Sequence, residues 1–415
     1  MKYSITDSSY KSRKVHIICF IILTFIVFLS EIFYKEPLFK YSLDVIPSFN
    51  HSNASNSFYY ASNIAYIGSE DIQEQMMLLI VLFNTLGNIW SYFAIFTFTF
   101  FTQNLLKMLY SAPRPFVLLN ELNPNCQEGH GNPSGNAMLA TCLFLTTFEF
   151  INRSPLLHTY KGTRFAFLIF FGVLITIVIY CTFYIGEDSL DQLLFGFSLG
   201  ILSWYFFFYV IEITSNEPET FFSQFEGVRN QLVFISVFII MVTLSSGVFV
   251  LGLKQQDKEK LTVVVNKCSN STELPDPLTA DFARDQVTLG LLGAWIGMII
   301  INSYMKNKFT TNADYMLYYF TQFLDKNFNL LFGYLILILT IIPYWIMKYQ
   351  LYLPKDTSLQ VKLLIRYVCP NFLVGILVTG FFPMILVWVG LIKYDHEILS
   401  KIVISHFNLN SYHNG

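Results

Sequence analysis

Two cations, a hydroxyl and a glycine in the first half of the chain have the types and spacing to hold a phosphate. Lys107 and Arg114 stand seven residues apart in the stretch Lys107-Met-Leu-Tyr-Ser-Ala-Pro-Arg114-Pro115, roughly two turns if a helix continues, so both can face one cleft. Arginine offers a planar fork of donors and lysine a compact charge. Ser134 can donate a hydroxyl hydrogen bond, and Gly135, at the start of an apolar run, lets backbone amides approach an anion. The chemistry expected is an anion cradle. A third cluster, Glu187, Asp188 and Asp191, is acidic. A carboxylate reaching Arg114 or Lys107 would compete with phosphate, because two unit charges about 4 Å apart interact by roughly 4 kcal/mol at an effective dielectric of about 20. Two expectations stand side by side: an internal ion pair that closes the site, or a changed site for a cationic or zwitterionic head group. Asn136 has no titratable proton near neutrality and cannot serve as a general acid. Asp188 is a possible nucleophile, but Gln192 supplies neither charge nor base to assist it.

Each cluster falls where an apolar segment ends or begins, so the elements that must position it are membrane helices. An apolar run from about 76 to 106 delivers Lys107, another from 136 to about 150 starts at Asn136, and two more, 164–184 and 190–213, flank the acidic cluster. Because two spans separate Asn136 from Asp188, both return to one membrane face, and the topology supports a shared pocket. Ahead of them an apolar span over 15–33 reads as a retained signal anchor, with its basic tail (Lys2, Lys11, Arg13, Lys14) in the cytosol. Further spans are expected near 231–253, 286–304, 328–347 and 371–392, about nine in all. The chain therefore divides into a polar tail (1–14), a first span and polar loop (15–75), a core (76–213), a C-terminal transmembrane region (214–392) and a second polar tail (393–415). Gly290, Gly293 and Gly297 form a small-residue stripe suited to close helix packing within the chain.

Lys-x6-Arg-Pro ending at Pro115, then Pro133-Ser134-Gly135, then the segment from Gly186 to Gln192 resemble, in this order, the three signatures of the type 2 phosphatidic acid phosphatase superfamily. That superfamily includes lipid phosphate phosphatases, sphingosine phosphate phosphatases and glucose-6-phosphatase. The resemblance runs from Lys107 to about Gly196 and implies phosphate-binding roles for Lys107, Arg114, Ser134 and Gly135. It also exposes departures. Asn136 stands where the second signature has the His that protonates the leaving oxygen, and Asp188 where the third has its nucleophilic His. Thr182 replaces the usual Arg, and Gln192 replaces the orienting Asp of most members, although the glucose-6-phosphatase branch is similar in carrying Gln there. Cys126-Gln-Glu-Gly-His-Gly131 also looks like that branch. With both imidazoles gone, ordinary phosphohistidine turnover is not expected. The fold class expected is an all-α polytopic membrane protein, a helical bundle with a phosphatidic-acid-phosphatase-like core and a degenerate active site at Asn136, Asp188 and Gln192. The function expected is a catalytically impaired membrane component that binds a lipid phosphate or serves structurally. The alternative is an active lipid or sugar phosphomonoesterase with Asp188 as nucleophile.

Composition bounds the rest. A chain of 415 residues that is 54% hydrophobic and only 13% charged is too apolar for a soluble globule, and its formal net charge of −2 leaves no basic excess for nucleic acid. No Gly-rich nucleotide loop, CxxC pair or convincing metal-ligand set is present, so no cofactor and no metal are expected. The partners expected are membrane lipids, including phospholipid or lipid phosphate, with membrane proteins or a second copy of the chain. The expected location is an endomembrane resembling the endoplasmic reticulum. Cys126 and Cys268 lie in polar loops and would pair only in an oxidising compartment, whereas Cys19, Cys142 and Cys181 read as small hydrophobes. Sequons at Asn50-His-Ser52 and Asn53-Ala-Ser55 suit a lumenal or extracellular loop. A cytosolic tail would make the pocket cytosolic as well. The reverse orientation would put Cys126, Cys268 and Asn270-Ser-Thr272 in the lumen, as resemblance to glucose-6-phosphatase implies. His130 reads as a solvated loop residue that replaces the missing acid only if its loop folds back. Glu149 is balanced between bundle interior and interface, and His16 is placed at the interface.

Overall fold

The computed structural model describes residues 7–49, 56–69, 86–119, 129–153, 161–211, 228–255 and 277–285, with 290, 293, 296, 365 and 369–377. Every regular element among these residues is helical. The helices are α1 (Asp7–Val45), α2 (Asn56–Tyr66), α3 (Leu86–Tyr110), α4 (Gly135–Arg153), α5 (Lys161–Tyr184), α6 (Leu190–Tyr205), α7 (Val228–Gln255), α8 (Pro277–Asp285) and α9 (Cys369–Ile376), with a single turn at Pro115–Leu118. Among the described residues, Lys14–Ser48, Arg164–Tyr184, Leu190–Val210 and Ile235–Leu253 are long and apolar enough to cross a membrane. The expected spans near 286–304, 328–347 and 371–392 lie outside the described residues except for isolated positions and part of α9. Both early sequons, the later one and Cys126 with Cys268 also lie outside them.

The chain forms two compact units, residues 1–217 with 236–288, and residues 218–235 with 289–415. In the second unit the glycine stripe has one visible consequence: Gly293 lies directly against the backbone carbonyl of Phe372 on α9, where a Cβ would not fit.

The first unit is built around α4, which packs against α3, α5 and α6; α1 lies along α6, α2 along α5, and α8 along α3. Two sequence features bring α4 and α6 close. A Cβ at Gly196 would meet the Ser134 carbonyl, and one at Gly200 would lie 2.7 Å from the Met138 carbonyl, so two bare positions one turn apart let the backbones touch. Ala140, Phe144, Phe171, Ile175 and Val178 then close the α4–α5 seam, and Met138, Phe195, Leu199 and Leu202 the α4–α6 seam. α6 ends in a π-helical turn at Phe206–Val210, where Phe206 and Phe207 receive Phe98 of α3.

Helix α1 departs from expectation twice. It does not stop near Phe33 but continues through Pro37 to Val45. Hydropathy marks where a helix leaves the apolar layer, not where it ends, and here the i, i+4 pairs Glu31–Lys35 (3.6 Å) and Glu36–Lys40 (2.8 Å) support the polar turns beyond. The second departure concerns direction. His16 bonds the Tyr205 hydroxyl at 2.8 Å and Phe20 stacks near Phe206, both at the far end of α6. At the other end of α1, the Ser42 hydroxyl accepts the Leu190 amide at 2.9 Å and Ile46 packs with Phe116, Ala137 and Leu193. Helix α1 thus runs antiparallel to α6, and the amino-terminal tail and the polar clusters lie at opposite ends of the bundle. This overturns the expectation that they share a face, which counted two spans, 15–33 and 76–106, between the tail and Lys107.

Candidate functional site

At the end of the bundle where α3 stops and α4 and α6 begin, six charged or polar side chains from three separate stretches converge. Lys107, in the last turn of α3, is 1% exposed, and Arg114, just before the Pro115 turn, is 3% exposed. Arg114 Nη1 donates to Asp188 Oδ1 at 2.9 Å and to Glu187 Oε1 at 3.3 Å. The other Asp188 oxygen accepts the Ser134 hydroxyl at 2.6 Å, and Asn136 Nδ2 donates to Glu187 Oε1 at 3.1 Å. Gly135 is needed here, because a Cβ would lie 2.5 Å from Gln103 Nε2 and 3.1 Å from Lys107 Nζ. Its bare backbone lets the ammonium settle beside the first turn of α4, whose free amides add positive potential.

The local folding follows from short-range signals. Ser134 precedes α4, its carbonyl accepts the Met138 amide at 3.1 Å and its hydroxyl lies 3.4 Å from the Ala137 amide, as an N-cap does. Gly186, at a positive φ of 70°, reverses the chain after α5 and presents Glu187 and Asp188 to Arg114. Gln192 then ties the three stretches together. Its Oε1 accepts the Ser189 amide at 3.1 Å, the return bond of a capping box. Its Nε2 donates to the Pro113 carbonyl at 3.0 Å, and its own carbonyl accepts the Ser134 amide at 3.0 Å. Gln192 therefore joins the Arg114, Ser134 and Asp188 segments through three hydrogen bonds.

Electrostatically the site is closed on itself. Lys107 and Arg114 face Glu187 and Asp188, all of them buried, so carboxyl groups of the chain itself stand where an anionic ligand would meet these cations. One guanidinium nitrogen nevertheless serves two carboxylates. Burial, and then the charge of Asp188, push the Glu187 carboxyl above the usual range, against the opposing pull of Arg114 and Lys107. Asp191 turns away from this group, and its Oδ1 accepts the Ser189 hydroxyl at 2.6 Å. Thr182 is also buried, and its hydroxyl bonds the Val178 carbonyl within α5.

His130 differs from expectation. Its side chain is only 15% exposed, and both its backbone amide (3.1 Å) and its ring Nδ1 (2.6 Å) meet Asp281 Oδ2. Burial opposes the charge of Asp281, but the hydrogen bond and charge of His130, with Lys107 beyond, outweigh it and hold this carboxyl below its ordinary range. The loop is not solvated because α8 covers it. Gly129, at a φ of 88°, turns its carbonyl to Arg114 Nε at 3.2 Å, and a Cβ there would meet Asp281 Oδ1. Glu31 of α1 is a second residue that the motifs did not reveal. It is 3% exposed, accepts from Asn132 Nδ2 at 3.2 Å and from the Tyr110 hydroxyl at 3.4 Å, and so anchors the loop before Ser134. Its position in an apolar span was the available signal, since buried carboxylates there need partners. Glu149 is buried on α4, and His16 ties α1 to α6 through the Tyr205 hydroxyl. Among the described residues, no group of three or more His, Cys, Asp or Glu side chains is arranged to hold a metal ion.

Residues 88–214 match the family model of the PAP2 superfamily, a segment that includes Lys107, Arg114, Ser134 and Asp188. No curated protein and no solved structure matches the chain.

Proposed function

We propose that this chain is a membrane-embedded protein of PAP2 type that binds phosphate esters, lipid phosphates foremost, and has lost the phosphohistidine turnover of the superfamily. The observation that carries this reading is the bridge made by Asp188, which takes Arg114 Nη1 with one oxygen and the Ser134 hydroxyl with the other. These are the donors an incoming phosphate would use. Asp188 stands in the third motif as an internal anion rather than as a nucleophile, since both its oxygens are engaged and Asn136 cannot protonate a leaving alcohol. Lys107, Arg114, Ser134 and the backbone at Gly135 form the seat, and Gln192 holds it together.

The test is binding of phosphatidic acid to the full chain in nanodiscs. Charge-assisted hydrogen bonds contribute about 1.5–3 kcal/mol each, so removing the internal competitor with Asp188→Ala is expected to tighten binding by about 10- to 100-fold. Arg114→Ala is expected to abolish it. Phosphate release that vanishes in Asp188→Ala would overturn the reading and make Asp188 the nucleophile of an active phosphomonoesterase.

A further inference from the structure

Neither motif position retains an imidazole, yet one imidazole stands against the seat. His130 lies between two residues that touch it: the Gly129 carbonyl accepts Arg114 Nε at 3.2 Å, and the Gly131 amide donates to the Ala112 carbonyl at 3.0 Å. A Cβ on Gly131 would lie 2.6 Å from the Gln192 amide, so this glycine rests on the residue that joins the motifs. With consecutive Cα atoms about 3.8 Å apart, the His130 backbone is fixed within one residue of both Arg114 and Gln192. Its side chain is fixed by α8. Asp281, fully buried, takes the Nδ1 edge and the backbone amide with a single oxygen. Lys107 acts on Asp281 as well as on Glu187, so one ammonium links this pair to the seat.

A carboxylate on Nδ1 does two things for an imidazole: it selects the tautomer with its lone pair on Nε2, and it stabilises the imidazolium that forms when Nε2 takes a proton. Asp281 is the ionised member of its helix, since its hydrogen bonds from His130 hold its carboxyl down, whereas burial and the Asp281 charge push its neighbour Asp285 well above the usual carboxylate range. The side chain of His130 is 15% exposed, so the ring is not sealed in the core.

We propose that His130 and Asp281 form a proton-transfer dyad that acts on a phosphate monoester seated on Lys107 and Arg114. The proposal rests on the phosphate seat argued above, and hydrolysis begins only when Asp188 gives up its place to the ester. In the step, His130 Nε2 takes a proton from a water molecule while the water oxygen forms a bond to phosphorus. The phosphorus–oxygen bond to the alcohol breaks, and the alkoxide takes the proton from the imidazolium. Ester and water become alcohol and inorganic phosphate, and the imidazole returns to its starting state. No covalent enzyme intermediate forms. His130 is the catalytic residue and Asp281 its positioning residue, and in the parent chain Asp188 suppresses both binding and turnover.

The experiment measures phosphatidic acid binding and inorganic phosphate release with the full chain in nanodiscs. Asp188→Ala is expected to bind more tightly and to release phosphate at least about ten times faster than the parent. Adding His130→Asn, which keeps an amide donor near Nδ1 but removes the base, is expected to cut release by about 100-fold with binding unchanged. Adding Asp281→Asn instead is expected to slow release and to move the acid limb of its pH profile to lower pH, because the imidazolium loses the carboxylate charge that stabilises it and the imidazole loses the partner that selects its tautomer. Asp188→Ala protein that binds but releases no phosphate overturns the dyad and leaves the seat standing. Release that persists through His130→Asn also overturns it. Absence of binding in Asp188→Ala overturns the seat and the dyad together.

Discussion

At the scale of single residues, the site is a set of fixed charges whose balance depends on pH. Glu187 is raised to about 7, first by burial and then by the neighbouring Asp188 charge. A carboxyl raised on folding binds its proton in the native state while the unfolded chain has already lost it, so stability falls as pH rises from the ordinary carboxylate range to about 7. Glu187→Gln is therefore expected to match the parent in acid and to be more stable above neutrality, by an amount on the order of one to a few kcal/mol. Thermal melts in detergent across that range check it, and a parallel decline in both proteins would sink the idea. Lys107, Arg114, Ser134, Gly135 and Asp188 were legible in sequence because each sits in a short run whose neighbours set its direction. Asp281 was not, since 151 residues separate it from His130 and nothing nearby in sequence marks it.

At the scale of elements, the seat depends on how closely α4 and α6 approach. Gly196 touches the Ser134 carbonyl, and the next residue on that path is the Ser134 amide bonded to Gln192. Gly196→Ala is expected to force the helices apart, to destabilise the bundle by about 1–3 kcal/mol and to weaken phosphatidic acid binding with it. An unchanged melt would show that the helices separate at no cost. Helix starts were readable, because Ser134 and Ser189 each precede an apolar run and Gln192 completes a capping pattern. The end of α1 was not, because its last turns are polar and carry Pro37, yet tertiary contacts through Ser42 and Ile46 keep them helical.

At the scale of the whole molecule, the direction of α1 fixes which side of the membrane the seat faces. A basic tail retained in the cytosol places the seat on the opposite, lumenal or extracellular side, because α1 carries the chain from one end of α6 to the other. In sealed microsomes an amino-terminal tag is expected to be cleaved by added protease, while a cysteine introduced at His130 is expected to resist a membrane-impermeant thiol reagent until detergent is added. Labelling before detergent would reverse the assignment. Two spans returning Asn136 and Asp188 to one end was readable from hydropathy; the side was not, since it rests on contacts of α1 with the two ends of α6 made far apart in sequence.

Helix α1 also works as a depth gauge. Val15 to Glu31 covers about 24 Å of helix, against a hydrocarbon layer of about 30 Å, and exposed apolar side chains continue to Phe33 before Lys35 and Glu36 begin. Glu31 holds Tyr110 and Asn132, so a bilayer spanning this apolar stretch would bring its phosphate plane near the seat. A seat at that depth meets its ligand by lateral diffusion, at the crowded surface density of head groups rather than the dilute concentration of the aqueous phase. Under such crowding even a weak phosphate site would stay permanently filled; if the seat binds lipid phosphate as proposed, an internal carboxylate that competes for it would let occupancy follow lipid composition.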